Sequence, residues 1–215
     1  MSWLSLPNAL NRIQQFLQQW SVTIANLDLA SRASSVFECY CLTLIAEAYQ
    51  SRGYGLTIAG PSGGTFTFKR WTMGNPSNYN FFVATKGSML YELRQNQLIS
   101  NGYNVPFNLD VVVVAGASGG HVRSSDIHSF AECKHYRSYS PMPCAQFLGV
   151  VREVLPDSLR WVTHNHPRPL FMGSGDPSSS LPTFYSSVMS RGYFVDFILR
   201  ITAALPQNPV LNWPI

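Results

Sequence analysis

The chain has 215 residues and a mass of 24.0 kDa, about one domain's worth of sequence. Apolar residues make up 46% and charged residues 12%, about half the usual charged share, which excludes a disordered chain, and five Glu and three Lys exclude a coiled coil. The net charge of +4 rests on twelve Arg and favours an anionic partner, because the guanidinium fork matches phosphate oxygens.

Residues 7–20 carry Leu10, Ile13, Phe16, Leu17 and Trp20 at helical spacing, which predicts a short amphipathic helix. A stronger helix is expected from Asn26 or Asp28 to Gln50, with Leu29, Ala33, Val36, Phe37, Tyr40, Cys41, Leu44, Ile45 and Ala48 on its apolar side and Gly53 ending it. Residues 1–25 then read as a helical extension and 26–215 as a single domain. From Tyr54 the period changes to that of strands: residues 65–70, 79–85, 88–95 and 109–115 are β-branched or aromatic and separated by Gly, Asn and Pro, as in a meander. Residues 127–136 predict a further strand, 143–154 a helix, 159–163 a strand, 173–180 a flexible loop, 181–190 a helix and 193–199 a last strand. The order describes an α/β protein with a mixed β-sheet flanked by helices. Trp71, Tyr79, Phe81 and Phe82 are expected in the core or on the sheet face.

No apolar run reaches the roughly 18 residues of a membrane-spanning helix, and the start lacks a basic segment followed by an apolar one, which argues against membrane and secretion. Four cysteines without a Cys-x-x-Cys pair argue against zinc, and Cys39 and Cys41 point to different sides of one helix, so a reduced, cytoplasmic protein is expected. Neither Gly-rich loop, at 60–64 or 116–120, has the Gly-Lys-Ser/Thr ending of a phosphate-binding loop. His164-Asn165-His166 reads as a loop.

The chemistry gathers elsewhere. Glu132 and Lys134 are two apart on one strand and so share a face, with Ala131 and Cys133 on the other. Asp110 opens the run Val111 to Val114, the pattern of a strand buried on both faces. A carboxylate at the mouth of such a strand is costly without a partner or a cation. Two carboxylates on neighbouring strands suit Mg²⁺, which takes hard oxygen ligands and keeps water and phosphate in its shell, with a lysine beside it to orient a water. Glu38 sits among Cys41, Leu42 and Ile45 on its helix, so its carboxylate is aimed at a site or leaves from the edge of that face.

Asp110 with four valines, followed by Glu132-Cys133-Lys134, resembles the PD-(D/E)xK motif of the restriction-endonuclease-like nucleases. Pro106 is near Asp110, although Leu109 directly precedes it. The resemblance runs from about Ser31 to Thr163 and implies a restriction-endonuclease-like sheet with flanking helices. It implies a Mg²⁺-dependent hydrolysis of phosphodiesters, with DNA as substrate and Mn²⁺ as a substitute ion. Residue by residue, it implies that Asp110, Glu132 and the main-chain carbonyl of Cys133 hold the ion, that Lys134 assists the nucleophilic water and that Glu38 supports from its helix. Gln146, on the early turns of the next helix, is a second-tier candidate. Arg123, His135 and Arg137 stand where nucleic acid could be touched, as do Gly119, Gly120 and His121 in the loop between the two strands. The other readings are a catalytically inactive nuclease-like module for nucleic-acid binding or assembly, and an interaction protein without nucleic acid. A homodimer or a defence-system partner protein is a further expectation, on analogy alone.

Overall fold

A computed structural model describes residues 4–100, 105–118, 122–155, 168–191, 193 and 195–201. The expected strand at 159–163, the loop at 164–166 and residues 119–121 lie outside the described residues.

The first helix, α1 (Leu6–Leu17), is capped by the Ser5 hydroxyl, which accepts from the Asn8 N–H, and continues as a 3-10 turn, Gln18–Trp20. Its apolar stripe buries Ala9, Ile13, Phe16 and Leu17. The second, α2 (Ala33–Ser51), starts later than its periodicity predicts. Asp28 accepts from the Ala30 N–H and the Ser31 hydroxyl, so its side chain closes a local turn and competes with the first helical turn. Buried residues run round nearly the whole of α2, because the sheet packs on one side of it and α1 on another.

The strands are β1 (Thr23–Ile24), β2 (Gly55–Ala59), β3 (Thr65–Phe66), β4 (Phe81–Lys86), β5 (Met89–Ser100), β6 (Pro106–Ala115), β7 (Ile127–Lys134), β8 (Ser138–Tyr139), β9 (Leu170–Gly173), β10 (Asp176–Pro177) and β11 (Asp196–Ile198). The helices α3 (Pro141–Val154) and α4 (Leu181–Ser190) follow β8 and β10. Among the described residues the main sheet has the order β11-β9-β7-β6-β5-β4-β2. Strands β2, β4, β5, β6 and β7 form antiparallel neighbours, and β9 and β11 run parallel to β7. The architecture is therefore α/β, with a mixed sheet between helices.

Alternation sorts the two faces. Phe82, Ala84, Leu93, Val111, Val113, Ala131, Cys133, Leu170 and Met172 pack in the core shared with α1 and α2. Val112, Val114, Phe130 and Phe171 pack with α3 and α4, through Phe147, Val151, Leu181 and Val188. Phe16 and Trp20 meet Phe82 at ring distances of 5.5 and 5.8 Å, so residues before Ala25 share the core of the sheet.

Three differences from the sequence reading have local causes. Of the expected strand 65–70 only Thr65–Phe66 is a strand; from there the side chain of Asn26 takes over, donating to the Phe68 carbonyl at 2.7 Å and accepting from its N–H at 3.0 Å. The segment 173–180, expected as a flexible loop, begins with the end of β9 and contains β10 paired with β8. Trp71, expected in the core, is 52% exposed.

Candidate active site

The site grows from an irregularity in the β5–β6 ladder. Gln95 pairs with Val111 and Gln97 with Leu109, while Asn96, opposite Asp110, takes a left-handed backbone with φ 48°. Asn tolerates that conformation better than most residues. On the other strand, Leu109 packs with α3 and α4 but Val111 packs with α1 and α2. Residues two apart normally share a face, so the alternation breaks at Asp110. The break falls where a buried carboxylate must find partners.

Asp110 finds two. Its Oδ2 accepts from the Cys133 main-chain N–H at 2.8 Å and lies 3.6 Å from Lys134 Nζ, while its charge repels the Glu38 carboxylate and raises that group's pKa. Lys134 Nζ also pairs with Glu132 Oε1. Glu38 arrives from α2, where its Oε2 accepts from Asn96 Nδ2 at 3.1 Å. Asp110, Glu132, Lys134 and Glu38, predicted from three separate elements, thus converge beside the end of β7, with Asp110 in the middle of β6 and not at the mouth of its strand, and Ala131 and Cys133 face away into the core as expected.

Burial dominates the electrostatics. It raises Glu38 to about 7, helped by the charge of Asp110, and raises Glu132 to about 7 for the same two reasons in the same order. Asp110 is also raised by burial, against the pull of Lys134 and the Cys133 N–H. For Lys134 burial works against the charge, yet Asp110 and Glu132 outweigh it and hold the ammonium above its ordinary value. Three carboxyl groups around one ammonium carry a surplus of two negative charges when ionised. That surplus, in hard oxygen donors, suits a divalent cation of the Mg²⁺ type, which needs only one or two carboxylates and completes its shell with water. Among the described residues no group of three or more His, Cys, Asp or Glu forms a ready-made metal cage, so the fit lies in charge and donor type.

The end of β7 is clamped from behind. The Lys134 carbonyl accepts from the Tyr139 hydroxyl and from the Ser174 N–H at 3.3 Å. The same Tyr139 oxygen accepts from the N–H groups of Tyr136 and Ser174, at 3.2 and 3.1 Å. His135 Nδ1 pairs with Ser174 Oγ at 2.8 Å, its ring lies 5.6 Å from that of Phe37, and burial lowers its pKa. Tyr139, Ser174 and Asn96 were not singled out from the sequence, since a hydroxyl or amide that acts by bracing another residue leaves no spacing signal.

The second-tier candidate Gln146 and the candidate nucleic-acid contacts Arg137 and Arg123 face solvent. Gln146 is exposed on α3 beside Ala145 and Gly149, while Cys144, Phe147, Leu148 and Val151 form the buried stripe of that helix. Arg137 is exposed at the turn after β7. Arg123 is exposed ahead of the 3-10 turn Ser124–Asp126, where its N–H donates to Asp126 Oδ2 at 3.0 Å.

Beside the cluster is a basic group that the sequence reading passed over. Lys69 is buried, and its Nζ donates to the Asn96 carbonyl at 2.7 Å. Asn96 Nδ2 returns a bond to the Lys69 carbonyl at 2.8 Å. Burial, then the charge of Arg94, lowers the Lys69 pKa. Asn96 therefore joins Glu38 on one side to Lys69 on the other.

No protein-family profile, curated protein or solved structure matches the chain.

Proposed function

We propose that the protein is a Mg²⁺-dependent nuclease of the restriction-endonuclease-like kind that hydrolyses phosphodiester bonds, with DNA as the substrate. The observation that carries this reading is the convergence of Asp110, Glu132, Lys134 and Glu38 from β6, β7 and α2 beside the end of β7. The element order supports it as well: helix α2, the meander of β5, β6 and β7 and then helix α3 follow the order that the resemblance implies, and β9 joins the sheet parallel to β7.

Asp110 and Glu132 would hold the ion, with the Cys133 carbonyl as a further oxygen ligand and Glu38 adding charge. Bound there, Mg²⁺ or Mn²⁺ supplies Lewis acidity at the phosphate and lowers the pKa of water. The chain's own groups do the positioning. Asp110 is fixed by the Cys133 N–H, which ties β6 to β7 at the site. Lys134 stays an ammonium at neutral pH, so it serves as a hydrogen-bond donor that orients the attacking water and offsets charge on the phosphate. Tyr139 and Ser174 hold the Lys134 main chain, which keeps the ammonium in register with both carboxylates.

Cleavage of supercoiled and linear DNA tests the reading. Wild type is expected to cut with Mg²⁺ or Mn²⁺, to stop with EDTA, and to lose activity by about 10²-fold or more in Lys134→Ala. An absence of cutting on DNA and RNA together with an absence of Mn²⁺ binding by calorimetry would overturn it and leave the inactive binding or assembly module.

A further inference from the structure

We infer that Trp71, with Arg32 and Arg70, forms a docking platform for a single-stranded segment of nucleic acid that leads to the acidic cluster; the inference rests on the nuclease reading and names where its substrate strand lies. Trp71 is 52% exposed, although a chain with this many aromatics buries most of its large rings. Two guanidinium groups approach the indole: the Arg70 carbon lies 5.6 Å and the Arg32 carbon 5.8 Å from the ring centroid. Even so, about half of the residue faces solvent. A half-exposed indole beside two cations combines the features by which proteins bind a strand without reading its sequence, base stacking and phosphate contacts.

The platform has a rigid seat. Asn26 pairs with both main-chain groups of Phe68, and its own carbonyl accepts from Arg70 Nη1 at 2.6 Å. Arg70 Nε is buried without a hydrogen-bond partner, so part of that guanidinium's donor capacity is unspent. Arg32 stands at the N-cap of α2.

The same two segments lead to the candidate site. Arg32 precedes Glu38 by six residues on α2, roughly 9 Å along the helix. Arg70 follows Lys69, which Asn96 connects to Glu38. Arg32, Arg70 and Lys69 thus link Trp71 to the border of the acidic cluster, through α2 and through Asn96. In this proposal a strand whose scissile phosphate sits at Asp110 and Glu132 runs along that border and stacks a flanking base on Trp71.

The test is fluorescence anisotropy, without divalent ions, of a labelled mixed-sequence 12-nucleotide DNA, its RNA counterpart, its duplex and an abasic oligonucleotide of equal length. Wild type is expected to prefer the single strands to the abasic chain. Trp71→Ala is expected to weaken single-strand binding about tenfold and to erase that preference, while Trp71→Phe keeps most of it. Arg32→Ala is expected to lower the salt slope of single-strand binding by about 0.7. Unchanged single-strand affinity in Trp71→Ala, or equal binding of abasic and normal strands by wild type, overturns the platform. If Lys134→Ala still abolishes metal-dependent cleavage in that case, the nuclease reading stands without it. If wild type binds no oligonucleotide and cuts none, both fall.

Discussion

Asp110 and Glu132 show what a carboxylate costs when the fold needs it buried. Neither is placed by packing preference; each is held by a few polar contacts around Lys134 and the Cys133 N–H. The cost should be measurable as pH dependence of the metal-free protein. Glu38 and Glu132 are raised from an ordinary 4.5 to about 7, so between these values the folded chain binds more protons than the unfolded chain and stability falls as pH rises. Lys134 is raised above its own ordinary value, so its contribution is fully present throughout that window and does not alter the sign. Thermal unfolding in EDTA is expected to give a lower Tm at pH 8 than at pH 5.5, with a smaller difference in Glu38→Gln. If the folded cluster holds Mg²⁺ as proposed, the ion should raise Tm more at pH 8, where the carboxylates are ionised. A flat profile indifferent to Mg²⁺ would count against the cluster as a cation site.

At the scale of elements, the site depends on short pieces as much as on long ones. The turn after β7 is held by β8 pairing with β10, where Ser138 meets Asp176 and the Asp176 N–H donates to the Arg137 carbonyl at 3.3 Å. Gly175 makes this approach feasible: a Cβ there would lie 2.2 Å from the Tyr136 carbonyl oxygen and 2.8 Å from that of Arg137. Gly175→Ala must displace backbone next to His135 and Lys134, and is expected to cost about 1–3 kcal/mol and to impair cleavage. Gly149→Ala is the control, since nothing lies within 4 Å of a Cβ at that point of α3 and alanine favours a helix by up to about 1 kcal/mol. Denaturant melts of the two variants should shift in opposite directions. The strand β9 was missed in the sequence because Leu170 to Met172 are buried on both faces and show no alternation, and because the run is only four residues long. The strands β6 and β7 were legible because a run of valines and the Glu-x-Lys spacing are long enough to fix strand identity and face.

For the molecule as a whole, α1 decides where the domain begins. Ile13 and Leu17 are fully buried against the core that α2 shares with the sheet, and Phe16 nearly so. At about 1.5–3 kcal/mol for each large side chain, their burial is comparable to the entire stability of a domain, about 5–15 kcal/mol. Deleting residues 1–25 is therefore expected to yield a chain that aggregates or melts without a cooperative transition, whereas a mere extension could be removed with little change in Tm. Circular-dichroism melts of the truncated and full-length chains would distinguish the two.

The division between sequence and structure follows from range. Strand and helix periodicity, the face shared by Glu132 and Lys134, and the apolar surround of Glu38 are local properties, and they were legible in the residues themselves because side-chain direction repeats every two or 3.6 positions. Which groups meet is set by register and by helix docking between segments far apart in the chain. Only the tertiary structure could place Asn96 between Glu38 and Lys69, Ser174 behind Lys134, or Arg32 beside Trp71. Trp71 shows the difference most sharply: composition predicts burial for an indole, but the chain leaves strand β3 at Phe66 and Trp71 stands 52% exposed against Arg32 and Arg70, segments brought together only by the fold.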